Sequence, residues 1–247
     1  MNHLPEDKPL FTPGPLTTSL SVKQAMLRDL GSRDVEFIGA VRELREELLR
    51  VAGVSQQAGY EAILMQGSGT FSVEAVIASA MPPEGKLLAV VNGAYGDRIV
   101  KIAQGYGIET VVQKYRENEL PCVEAVDKAL AEDAEIKMVV VVHCETTSGI
   151  INPIEAIGQV VSQHRCCYFV DSMSAFGAVP LDFAGAKIDF LVSSANKCIE
   201  GVPGFGFCIA RREVLGGGSG GRPHGDGGLR RRAGGGRVRR DRPARLR

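Results

Sequence analysis

Six short apolar runs alternate with stretches of helical spacing, and this alternation leaves the chain few architectures to choose from. Residues 87–91, 108–112, 137–142, 166–170, 190–193 and 205–209 are rich in Val, Ile and Phe. Between them, residues 97–104, 123–131 and 154–163 space their apolar side chains at helical intervals. Upstream, residues 34–51 read as one long amphipathic helix, with Asp34 as N-cap and Gly53 as its stop. Near-continuous apolar runs, rather than strict alternation, suit strands covered on both faces. The expected fold class is α/β, a mostly parallel sheet with helices on both faces. Ligands of such sheets bind beyond the carboxyl ends of the strands.

The 29 basic and 29 acidic residues cancel, but the cancellation conceals a split. Residues 216–247 hold ten Arg, two Asp and no Lys, leaving 19 basic and 27 acidic residues for the rest. An acidic body and an Arg-only tail are two compositions joined. With eleven Gly among its 32 residues and almost no large apolar side chains, the tail is expected to be disordered. No two of the six cysteines form a C-x-x-C pair, and Cys144, Cys166, Cys167 and Cys208 lie in or beside apolar runs. They are expected to be buried, reduced thiols, which argues against a disulfide scaffold or a zinc site. The first residues lack the order of a signal peptide, and the aliphatic stretch 138–142 is too short to span a bilayer. A cytoplasmic protein with no membrane partner is expected.

Several segments carry candidate chemistry at strand ends. Gln66-Gly67-Ser68-Gly69-Thr70 precedes a good helix, so its hydroxyls and the free N–H groups of the first turn could hold a phosphate. The same residues would also serve as a plain capping turn. Tyr95, between glycines after the run ending at Val91, could lie against a ring; it could equally be a half-buried surface tyrosine. Thr146 and its neighbours follow the valine-rich run, and their hydroxyls could bond a ring oxygen. His143 reads as a core histidine, and none of the other histidines has metal-ligand spacing. Asp171 ends one apolar run, and Lys197 follows the next one 26 residues later, in a Gly-rich loop. A lysine amine can condense with a carbonyl, and a nearby carboxylate can hold a pyridine nitrogen protonated. Together they are the minimum apparatus for pyridoxal phosphate chemistry.

In order along the chain stand Phe11-Thr-Pro-Gly-Pro15, Gly67-Ser-Gly-Thr70, Asn92-Gly-Ala-Tyr-Gly96, His143-Cys-Glu-Thr-Thr-Ser-Gly149, Val170-Asp-Ser172 and Ser193-Ser-Ala-Asn-Lys197. This ordered set resembles the class V aminotransferases of the fold-type I group, over about residues 9–215. The resemblance implies that Lys197 is the catalytic lysine bound to pyridoxal 5′-phosphate and Asp171 the partner of its ring nitrogen. It implies that Ser68, Gly69 and Thr70 bind the phosphate with Asn196 assisting, that Tyr95 stacks on the ring, and that Thr146 contacts its 3-oxygen. It also implies a homodimer with sites at the subunit interface. The wording of the motifs is most similar to members that move the amino group of 2-aminoethylphosphonate to pyruvate. Alanine- or serine-glyoxylate transaminases are the alternative.

The resemblance implies three segments: an N-terminal extension at 1–10, an incomplete cofactor-binding domain at 11–215, and the tail at 216–247. The family's small C-terminal domain, with its arginine for the substrate carboxylate, is replaced here by Gly/Arg repeats. Arg without Lys, beside Gly, Ala and Pro, is the residue set of GC-rich codons read in a shifted frame. A frameshifted, weak or inactive transaminase is therefore expected. A rival reading gives the tail a nucleic-acid role, but it lacks aromatic residues to stack on bases.

Overall fold

The computed structural model describes residues 8–215. Two helices open the chain, α1 (Leu20–Ala25) and α2 (Val35–Val51). They are followed by β1 (Tyr60–Gln66), α3 (Gly69–Ala80), β2 (Lys86–Val91), α4 (Ala94–Gly105), β3 (Thr110–Lys114), α5 (Val123–Glu132) and β4 (Ile136–Val142). A small hairpin of β5 (Cys144–Glu145) and β6 (Ile150–Ile151) leads to α6 (Ile154–Val161). The strands β7 (Cys167–Asp171), β8 (Phe190–Ser194) and β9 (Phe205–Arg211) complete the main sheet.

That sheet has seven strands in the order β1-β9-β8-β7-β4-β2-β3. β3, β2, β4, β7 and β8 run parallel, while β9 is antiparallel to both β8 and β1. The mostly parallel α/β sheet expected from the alternation is present. Each apolar run feeds two cores, because successive side chains of a strand point to opposite faces. On one face, Leu88, Val90, Val139 and Val141 pack with Leu48 and Leu49 of α2, Val126 of α5 and Ile157 of α6. On the other, Leu87, Ala89, Met138 and Val140 pack with Val73, Val76 and Ile77 of α3 and Ile99 of α4. Strands sandwiched this way have no solvent face to leave polar, which is why they read as continuous valine-rich runs.

Three expectations need correction, and the N-cap at Asp34 holds in position though without a side-chain cap bond. β1 was not anticipated, because Glu61 and Gln66 interrupt its apolar character and it occupies a sheet edge. Asp34 stands at the N-cap of α2, but its carboxylate accepts from the Gly31 N–H at 2.6 Å and makes no cap bond within the helix. α4 begins at Ala94, three residues before the expected 97. No disulfide joins the six cysteines, but only Cys166 and Cys208 are buried; Cys144 and Cys167 are partly exposed. Among the described residues, no helix is long and apolar enough to cross a membrane. The tail, expected to be disordered, and the first seven residues of the expected extension lie outside the described residues.

Candidate active site

The carboxyl ends of β1, β7 and β8 open onto one cleft of about 460 Å³. Its wall is formed by Gly67, Ser68, Gly69 and Thr70 after β1, Tyr95 and Arg98 on α4, Asp171 at the end of β7, and Asn196 and Lys197 after β8. Seven of the eight expected site residues thus meet in one place, drawn from positions more than a hundred residues apart. Thr146 does not line the cleft. Its hydroxyl lies 2.6 Å from that of Ser174, which does, so Thr146 stands one side chain behind the wall.

The loop between β1 and α3 turns sharply at Gly67, whose φ is +124°. Ser68 is the N-cap, and its hydroxyl accepts the Phe71 N–H at 3.2 Å. The capping role of Ser68 is therefore real. The N–H groups of the first turn still lack acceptors inside the helix, and the positive end of the helix dipole faces the cleft. An anion fits there without a lysine.

Asp171 is 4% exposed and sits at the floor. One carboxylate oxygen accepts the Met173 N–H at 3.1 Å. Burial pushes the carboxyl up to about 6; the Met173 N–H opposes this, the Glu145 charge adds to it, and the charges of Arg98 and Lys197 lower it. A buried carboxylate with no ion-pair partner among the described residues has the chemistry to accept a hydrogen bond from a cationic ring nitrogen. On this ground the donor set fits a pyridinium-bearing phosphate ester.

Lys197 reaches over the cleft from the loop after β8, and its Nζ donates to the Pro13 carbonyl at 3.2 Å. The Phe11–Pro15 segment thus closes over the lysine, held in shape by bonds from Leu10 N–H to the Thr17 hydroxyl and from the Thr12 hydroxyl to the Pro15 carbonyl. Nothing in the sequence of this segment marks its contact with the lysine.

Two further groups were missed. Arg98 lies 4.7 Å from the Tyr95 ring centroid. Glu145, fully buried, lies against the start of α4, where its oxygens accept the N–H groups of Tyr95 and Gly96 at 3.4 Å and the Thr147 hydroxyl at 3.0 Å. His143 is a core histidine, as expected. Its Nδ1 lies 3.0 Å from the Ser172 hydroxyl, and burial lowers its affinity for a proton. Among the described residues, no cluster of side chains suits a metal ion.

Residues 18–227 match the family model Aminotransferase class-V. Over 206 residues the chain is 52% identical to a 2-aminoethylphosphonate–pyruvate transaminase of Bacillus cereus (strain G9842), covering 83% of this chain and 56% of the relative. A protein of the same description from Bacillus anthracis (strain CDC 684 / NRRL 3495) is 51% identical, with the same coverage. The chain spans just over half the length of these curated relatives. Among solved structures, the pyridoxamine-pyruvate aminotransferase of Mesorhizobium loti superposes with a TM-score of 0.76 at 27% identity, over 85% of this chain and 54% of that one. The alanine–glyoxylate aminotransferase of Nostoc sp. gives 0.76 at 27%, over 87% and 56%.

Proposed function

The chain belongs to the class V aminotransferases, and we propose that residues 11–215 bind pyridoxal 5′-phosphate and serve transfer of an amino group from 2-aminoethylphosphonate to pyruvate. The products are phosphonoacetaldehyde and alanine. The observation that carries this reading is the meeting of Lys197, the buried Asp171 and the Gly67–Thr70 loop around one cleft. The choice of substrates is supported by 51–52% identity to transaminases of that description. Alanine–glyoxylate chemistry is the second reading, favoured only by a structural likeness at 27% identity.

When bound, the cofactor supplies a carbonyl for amines and an electron-accepting ring. The residues of the chain do the rest. Ser68, Gly69 and Thr70, with Asn196 beside them, hold the phosphate against the start of α3, which fixes the ring in the cleft. The Tyr95 ring supports it by stacking. Asp171 holds a proton on the ring nitrogen through a charge-assisted hydrogen bond in a site already shielded from water. Lys197 would hold the cofactor's carbonyl carbon through Nζ, and the same Nζ would be placed as the base that takes the proton from the carbon bearing the donor's amine and returns it at that carbonyl carbon, two atoms away. Thr146 acts through Ser174, which it orients toward the cleft. A homodimer is part of the proposal. It is supported by the exposed Phe11, Leu27 and Val35, which a second subunit would cover.

The test is absorbance of the purified 247-residue protein with added pyridoxal 5′-phosphate. A visible absorption band from the lysine-bound cofactor is expected and should vanish in Lys197→Ala. Half-reactions with 2-aminoethylphosphonate, alanine and serine then rank the donors. A band that survives Lys197→Ala would overturn the assignment of the lysine, and preference for alanine or serine would overturn the substrate.

A further inference from the structure

The phosphate loop contains no basic residue, yet a phosphate ester carries a charge close to two at neutral pH. Of the residues that line the cleft, only Arg98 and Lys197 are basic. Lys197 is turned toward the Pro13 carbonyl. Arg98 is turned toward the loop, with Nη1 3.5 Å from the Thr70 hydroxyl oxygen.

What holds it there is visible. Tyr95 and Arg98 are three residues apart on α4, so they share one face of the helix. The guanidinium lies 4.7 Å from the Tyr95 ring centroid, a cation–π contact that orients the fork without using its hydrogen-bond donors. The adjacent Asp97 is engaged by Lys114 at 3.0 Å. Among the described residues no carboxylate lies within ion-pair distance of Arg98. Its donors are thus left without a charged acceptor, at the edge of a cleft built for an anion.

We infer that Arg98 is the cationic arm of the phosphate cradle, pairing with the phosphate of the cofactor that Ser68, Gly69 and Thr70 hold. This rests on the functional reading above and adds a binding residue to it. Arg98 would do from α4 what a loop lysine does in other phosphate sites. The same guanidinium would tie cofactor anchoring to the position of the stacking ring, because both contacts share one side chain.

Pyridoxal, which has the ring and the carbonyl but no phosphate, separates this role from stacking. Both compounds are titrated by absorbance into the wild-type chain, Arg98→Gln and Arg98→Lys, with circular dichroism confirming equal folding. The side chain is exposed, so the fold is expected to survive both changes. Arg98→Gln should weaken pyridoxal 5′-phosphate by roughly 10- to 100-fold, the range of a hydrogen bond to a charged group, and pyridoxal by less than about twofold. Arg98→Lys should recover part of the loss, since it keeps the charge but not the fork. Equal losses for the two compounds would reduce Arg98 to a support for Tyr95 and overturn the inference while leaving the functional reading intact. Failure of the wild-type chain to take up either compound would overturn the functional reading, and this inference with it.

Discussion

A methyl group placed on Gly14 would stand 2.8 Å from the Nζ of Lys197. No pair of heavy atoms packs stably at that separation unless it shares a hydrogen bond, so the lysine occupies space that only a glycine leaves open. Gly14 also holds a φ of +144°, which side-chain-bearing residues rarely adopt. Gly14→Ala should therefore displace the lysine, the strap or both. Strain of this kind costs about 1–3 kcal/mol, and here it falls on the position of Nζ rather than on the core. Affinity for pyridoxal 5′-phosphate should drop about tenfold or more, with little change in the thermal midpoint. Wild-type affinity in Gly14→Ala would show that the strap does not set the position of the lysine.

Burial of Asp171 makes the stability of the fold depend on pH. Its carboxyl is raised to about 6 in the fold by burial, against about 3.9 in an unfolded chain. The native state therefore holds the proton more tightly, and stability contributed by this group is lost as pH rises from about 4 to about 6. The full difference is at most about 3 kcal/mol, the shift of two pH units converted directly. Asp171→Asn, which is neutral throughout, should gain stability relative to wild type between these pH values while losing cofactor binding. Urea unfolding of both proteins at several pH values measures the difference. A difference that stays flat across the window would mean that Asp171 is ionised in the fold at its ordinary value.

Gly93 and Glu145 form one packed unit. A side chain on Gly93 would overlap the Glu145 carboxylate, which in turn accepts the first N–H groups of α4. Gly93→Ala should cost about 1–3 kcal/mol by overpacking. Glu145→Ala should cost about 2–4 kcal/mol, because it leaves a void and unpaired donors. Since the void left by the second change accepts the methyl of the first, the double variant should be more stable than the sum predicts. Strictly additive losses in urea unfolding would show that the two sites do not touch.

The parallel strands were legible because burial on both faces leaves an uninterrupted apolar run, as at Met138 to Val142. β1 was not, because an edge strand with Glu61 in it has no such signature. Asp171 and Lys197 could be found because each directly follows or ends a run that is easy to see. Arg98 could not, and the reason is specific. The helical pattern was read from 97, which placed Tyr95 in a loop, whereas α4 begins at Ala94 and puts Tyr95 and Arg98 on one face. Glu145 is buried only by tertiary packing; nothing in Cys-Glu-Thr marks a glutamate that never meets water.

The arrangement of β9 sets an order of events on the ribosome. β1, which leads into the Gly67–Thr70 loop, has β9 as its sole strand neighbour among the described residues, and β9 joins it to β8, the strand that precedes Lys197. Residues 205–211 emerge from the ribosome nearly 150 residues after residues 60–66. Until they do, the two sides of the cleft belong to strands that are not neighbours in the sheet. β1 therefore waits without its strand partner while the intervening residues are made, and the cleft is completed only when β9 enters between β1 and β8.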